Sequence, residues 1–202
     1  MPDRIVFDLD GTLIDRDAAL LQGAEELLAR LGFEAPANLG ARVSEAATVA
    51  ALARDIVPGR SGELTDCMLA AIKPRADVIA MLRGLRAANR LVLLTNGRAE
   101  LQRRKLRAAG LHGLFDEVLI SGELGFGKPD PRCFELAFAG GDAQHALVVG
   151  DDLERDILPA VQAGARTCWI SRGRALPDGA PQPTMTCEFP ELPRILTCQY
   201  AT

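Results

Sequence analysis

Two pairs of acids stand far apart in this chain: Asp8 and Asp10 in the run Asp8-Leu9-Asp10-Gly11-Thr12, and Asp151 and Asp152 after Gly150. Each pair directly follows a short apolar run, as does Thr95-Asn96-Gly97. Acids converging from two strand ends repel one another unless a cation lies between them, and hard carboxylate oxygens without His or Cys favour Mg²⁺. A further apolar run is followed by Gly122, Gly125 and Gly127 and then by Lys128-Pro129. Lys128 is the kind of point-charge donor that phosphate sites use, and a lysine and a hydroxyl beside a cation are placed to hold an anion. These residue types imply a phosphate ligand, metal-bound on one side.

The elements that must position these residues follow from apolar periodicity. Runs rich in Val, Ile and Leu at residues 4–7, 91–94, 117–120, 147–149 and 167–170 have the length of buried strands. Amphipathic segments at 76–88, 99–109, 131–139 and 157–163 alternate with the later runs, which predicts an α/β fold with a parallel sheet covered on both faces. Leu101 and Leu106 line one face of the second segment, and Gly110 caps it. Pro159 is tolerated only in a first turn, so its helix is expected to begin near Asp156, with 151–155 as a loop. Residues 15–73 carry no convincing strand and read as helices at 18–31, 44–55 and 62–71, an all-helical insertion over the sheet. Beyond Pro177 the chain is proline-rich, with an edge strand near 184–187 and a short helix near 191–196. In such a sheet ligands bind at the carboxyl ends of the strands, where the polar residues named above fall.

Composition narrows the classes further. The 202 residues are 48% hydrophobic and 25% charged, ordinary for one compact domain with an insertion. Twenty-three Lys and Arg against 27 Asp and Glu give a net charge of −4 with no basic block, which excludes a nucleic-acid partner. No apolar run reaches the ~20 residues that cross a bilayer. Together with five cysteines (Cys67, Cys133, Cys168, Cys187 and Cys198) that are odd in number and lack Cys-x-x-Cys spacing, this predicts a cytoplasmic protein with free thiols and no membrane partner. His112 and His145 lie away from every motif and read as surface residues.

Asp8-Leu9-Asp10-Gly11-Thr12-Leu13-Ile14-Asp15, Leu94-Thr95-Asn96-Gly97, Lys128-Pro129 and Gly150-Asp151-Asp152 with Asp156 resemble, in order, the four motifs of the haloacid dehalogenase (HAD) superfamily. The resemblance implies a Rossmann-like core formed by residues 1–14 and 74–202, with a helical cap at 15–73. It implies that Asp8 is the nucleophile that forms an aspartyl-phosphate, and that Asp10 protonates the leaving oxygen and then deprotonates water. By the same resemblance Mg²⁺ is held by the carboxylates of Asp8 and Asp151 and the backbone carbonyl of Asp10. Thr95, Asn96 and Lys128 then bind the phosphoryl group. Asp152 and Asp156 support the metal or orient Lys128, Asp156 reading equally as a helix N-cap.

An acid two residues after the nucleophile is what ester hydrolysis needs and dehalogenation does not. The expected activity is therefore Mg²⁺-dependent hydrolysis of a small soluble phosphate monoester. A sugar phosphomutase and a catalytically idle binding module of the same superfamily remain the alternatives. In the insertion Arg16, Gln22, Arg42, Arg54 and Arg60 could face a cleft, each reading more naturally as a solvated side chain.

Overall fold

The computed structural model describes residues 2–200. Six strands, β1 (Arg4–Phe7), β2 (Arg90–Thr95), β3 (Glu117–Ile120), β4 (Ala146–Gly150), β5 (Arg166–Ile170) and β6 (Met185–Cys187), form one sheet in the order β3-β2-β1-β4-β5-β6, with every neighbouring pair parallel. By contact the chain divides into two compact units, one comprising the residues up to Ile14 and from Pro74 onward, the other Asp15–Lys73.

The helical unit contains α1 (Arg16–Arg30), α2 (Leu39–Glu45), α3 (Val49–Ile56) and α4 (Ser61–Ala71). Leu20, Ala24, Leu27 and Leu28 form the buried stripe of α1, which packs against Leu64, Cys67 and Met68 of α4. The single helix expected over 44–55 is two helices. The chain breaks at 46–48, where Thr48 accepts from the Ala51 amide at 3.0 Å and Arg16 donates to the Ala46 carbonyl at 2.9 Å. A capping hydroxyl and a guanidinium that reaches the freed carbonyl satisfy polar groups that the break exposes.

The sheet unit adds α5 (Ala76–Arg86), α6 (Ala99–Ala108), a short α7 (Ser121–Leu124), α8 (Pro131–Phe138), α9 (Leu158–Gln162) and α10 (Leu192–Tyr200). Val6, Val92, Leu94, Leu119 and Val148 form one buried face with Phe134 and Phe138 of α8 and Ala160 of α9. The alternate residues Ile5, Phe7, Leu91, Leu93, Leu147 and Val149 are buried on the other face, where α5 packs against β2 and α10. This is the expected α/β, Rossmann-like arrangement.

Two local expectations are corrected in this unit. Residues 151–155 are not a simple loop: a turn of π-type helix runs over Leu153–Ile157 and continues into α9. In that wide turn the Leu158 amide reaches back to the Leu153 carbonyl, and Pro159, without an N–H, follows in the first turn of α9. The buried face of α6 is Gln102, Lys105 and Leu106, whereas Leu101 is only half-buried. Among the described residues no helix is long and apolar enough to cross a membrane.

Candidate active site

The strand register brings the acids together. Phe7 is level with Leu93 of β2 and Val149 of β4, and the Asp8 amide donates to the Val149 carbonyl at 2.9 Å. Asp8 and Asp151 therefore leave the sheet side by side at the carboxyl ends of β1 and β4, where the strand order reverses. After Asp8 the chain folds tightly: the Leu9 carbonyl accepts from Leu13 and Ile14, and the Gly11 amide donates to the Ile14 carbonyl. Gly11 has φ +88°, and a Cβ there would lie 2.7 Å from the Asp151 carboxylate, so both backbone and space demand glycine.

Lys128 is the hub of this site. Its Nζ donates to Asp8 Oδ1 at 2.7 Å and to Asp156 Oδ1 at 2.6 Å, with all three side chains at most 10% exposed. Asn96 fixes the lysine backbone, its Nδ2 donating to the Lys128 carbonyl at 2.8 Å and its Oδ1 accepting from the Lys128 amide at 2.9 Å. The Asn96 side chain is thus given to holding Lys128 in place.

Asp156 is a member of the acid cluster and caps no helix. Its Oδ2 accepts from the Asp152 amide at 3.1 Å, while the Asp152 carboxylate caps the π turn by accepting from the Glu154 and Arg155 amides. The equal weighing of Asp156 as an N-cap is thereby corrected: the cap is Asp152, because the turn begins three residues earlier than expected. Asp151 is set by Trp169 Nε1 at 3.0 Å and Arg174 Nη2 at 2.5 Å, both donating to its carbonyl.

Asp8, Asp151 and Asp156 each offer a carboxylate oxygen, and these oxygens lie within 4.8 Å of one another. Lys128 sits between Asp8 and Asp156 and Arg174 lies 3.5 Å from Asp151, and the donor set is one of hard oxygens without His or Cys, which is the chemistry a Mg²⁺ ion fits. The electrostatics carry the same signature. Burial, reinforced by Asp156 and Asp151 and opposed by Lys128, holds the Asp8 carboxyl well above the usual carboxylate range. Asp151 is pushed up to about 6 by burial and by Asp156, against the pull of Arg174 and Arg172. Burial alone would lower the Lys128 ammonium, but Asp156 and Asp8 overcome it and raise it.

The carboxylate of Asp10 stands apart from this cluster. Both its oxygens accept from Lys105 Nζ, at 2.8 and 2.7 Å, and Oδ2 also accepts from Gln102 Nε2 at 3.0 Å. The same Gln102 nitrogen donates to Thr95 Oγ1 at 2.6 Å. Lys105 and Gln102 were not anticipated from the sequence. The only available signal was their three-residue spacing on the face that also carries Leu106, in a helix crowded with Arg103, Arg104 and Arg107. His145 is an exposed side chain 3.6 Å from Asp3, and His112 is exposed as well. Of the insertion's arginines, Arg16 pairs with Asp17, Arg42 with Asp55 and Arg60 with Glu63.

Residues 2–164 match the family model of the haloacid dehalogenase-like hydrolases. Pyrimidine 5'-nucleotidase YjjG of Escherichia coli is 32% identical over 147 residues, covering 70% of this chain and 65% of the nucleotidase. Phosphoserine phosphatase of Thermus thermophilus is 51% identical over 85 residues, covering 41% of this chain and 34% of the phosphatase. The chain thus spans between about a third and two thirds of the length of these curated relatives. In fold it is similar to the HAD-hydrolase YfnB of Bacillus subtilis, solved bound to magnesium, with a TM-score of 0.79 at 22% identity over 97% of this chain and 99% of that one. With four-fifths of its length matched by one family model, the chain belongs to the haloacid dehalogenase-like hydrolases.

Proposed function

We propose that this protein is a Mg²⁺-dependent phosphatase acting on a small, soluble phosphate monoester through an aspartyl-phosphate intermediate. The observation that carries the reading is the convergence of Asp8, Lys128, Asp151 and Asp156 at the ends of β1 and β4, with Asp10 held separately two residues from Asp8. Relatives named for phosphoserine, pyrimidine nucleotide and N-acylneuraminate 9-phosphate hydrolysis support a small monoester as the substrate class.

In this reading an Asp8 oxygen attacks phosphorus, the bond from phosphorus to the ester oxygen breaks, and Asp10 gives its proton to the departing oxygen. Water then attacks the phosphorus of the aspartyl-phosphate, Asp10 takes a proton from it, and inorganic phosphate leaves with Asp8 restored. Lys128 and the Thr95 hydroxyl face the charge that spreads over the phosphoryl oxygens, the main source of catalysis in phosphoryl transfer. Asp8, Asp151 and the backbone carbonyl of Asp10 would hold Mg²⁺, with Asp156 supporting them; when bound, the ion neutralises phosphoryl charge as a Lewis acid. The helical unit 15–73 is assigned the role of a cap that selects the rest of the substrate.

The test is phosphate release from a panel of nucleotides, phosphoserine, phosphoglycolate and sugar phosphates, with Mg²⁺ and with a chelator, on wild type and Asp8→Asn. Release that requires Mg²⁺ and disappears in a folded Asp8→Asn protein is the expected outcome. Turnover that survives in the variant removes Asp8 from its role. Turnover that requires a bisphosphate and leaves total ester unchanged identifies a mutase, and absence of turnover on every ester favours an idle binding module.

A further inference from the structure

We propose that Lys105 and Gln102 are positioning residues that fix the Asp10 carboxylate for proton transfer, and that Gln102 also turns the Thr95 hydroxyl into a donor toward the phosphoryl group. The inference rests on the phosphatase reading and deepens it. Lys105 is 5% exposed, and an ammonium is buried to this extent only beside a partner. That partner is Asp10, gripped through both oxygens by one Nζ, which removes the freedom of the carboxylate to rotate.

Gln102 completes the arrangement. An ionised carboxylate can only accept, so the amide nitrogen of Gln102 must face Asp10, and it has two hydrogens to give. One goes to Asp10 Oδ2 and the other to Thr95 Oγ1. Thr95 therefore accepts on that side, and its own hydrogen is free to point at an anion. Asp10 Oδ2 accepts two bonds and Oδ1 only one, so Oδ1 retains a lone pair and is the atom that carries the transferred proton. Neither Lys105 nor Gln102 exchanges a proton: each donates the same hydrogen bonds while Asp10 releases its proton to the leaving oxygen and regains one from water.

A residue that acts through a general acid matters most where the leaving group needs a proton. The experiment measures kcat/KM, which reports the step that expels the leaving group, for p-nitrophenyl phosphate and for whichever alkyl phosphate the substrate panel ranks first. Lys105→Met is expected to lose about a hundredfold on the alkyl ester and less than about tenfold on the aryl ester, whose leaving group departs without protonation. Lys105→Arg should recover part of the loss. In the Asp10→Asn background Lys105→Met should cost nothing further, since its effect passes through the carboxylate. Gln102→Ala, which leaves the ion pair in place, serves as a second variant with the same expected asymmetry should Lys105→Met fold poorly. Equal losses on the two esters, or an undiminished loss in the Asp10→Asn background, overturn the inference and leave the phosphatase reading intact. A folded wild type inactive on both esters removes the reading and the inference together.

Discussion

Lys128 lies between two carboxylates that it alone neutralises, and the consequence at the residue scale is an asymmetric dependence. Removing the ammonium leaves the buried Asp8 and Asp156 without their cation, while half-buried Asp151 keeps Arg174 at 3.5 Å, and breaking a buried pair in this way costs about 3–5 kcal/mol. Lys128→Met is therefore expected to lower both turnover and the thermal stability of metal-free protein, with Mg²⁺ recovering part of the stability and little of the rate. Unchanged melting in a chelator would show that the cluster is not charged as its geometry implies.

The acids of the cluster also set a pH dependence whose sign can be worked out. Asp151 titrates at about 6 in the folded protein and near 3.8 in its ordinary state, so between these values the folded chain holds a proton that the unfolded chain has lost. Stability from this group is complete below about 4 and is lost as pH rises through 6. Metal-free wild type should consequently lose stability relative to Asp151→Asn as pH is raised from 4 to 7 in chemical denaturation. Parallel curves for the two proteins would refute the shift. Asp77, Asp116 and Asp130, each held low by an arginine and by backbone hydrogen bonds, act in the opposite direction at lower pH and cancel in the comparison. These residue-scale couplings mark where sequence reading stops. The placement of Asp8 and Asp151 just after apolar runs was readable, because a carboxylate directly following a buried strand falls at its carboxyl end. Lys105 was not singled out, because helical periodicity places it on the face of Leu106 but does not tell which of several cations on α6 is buried against an acid.

At the scale of elements the strands were the most legible parts, since an apolar run of three or four residues bounded by polar turns has little alternative in a chain of this composition. The misreadings fell where side chains override periodicity. Thr48 breaks a pattern that would otherwise run from α2 into α3, and Asp152 starts a wide turn ahead of Pro159. The packing of α1 on α4 turns on a similar detail. Gly23 faces the α4 backbone so closely that a Cβ would lie 2.5 Å from the Met68 nitrogen, with backbone on the other side of the contact unable to swing away. Gly23→Val should push the two helices apart and destabilise the helical unit by about 1–3 kcal/mol, read as faster proteolysis within residues 15–73. A variant as protease-resistant as wild type would show that the close approach is not required.

For the whole molecule, the order β3-β2-β1-β4-β5-β6 places the chemistry by topology: β1 is central, and the reversal between β1 and β4 opens the crevice where the acids stand. That order could not be read from the strands themselves, which specify burial but not neighbours. The division into a sheet unit and a helical unit has a measurable consequence, because the acid cluster belongs wholly to the sheet unit. A ligand stabilises what must be folded to bind it, so Mg²⁺ should suppress openings of the sheet unit more than those of the helical unit. The cysteines report on both. Cys133, Cys168 and Cys187 are buried in the sheet unit, Cys67 is buried in the helical unit, and Cys198 is exposed. In thiol labelling followed by mass spectrometry, Cys198 should react at once with or without metal. Mg²⁺ should slow labelling of Cys133 and Cys168 several-fold and leave Cys67 nearly unchanged. Equal slowing at Cys67 would mean that the two units open as one cooperative body, and no slowing at Cys133 would mean that the acids at the ends of β1 and β4 do not hold the ion.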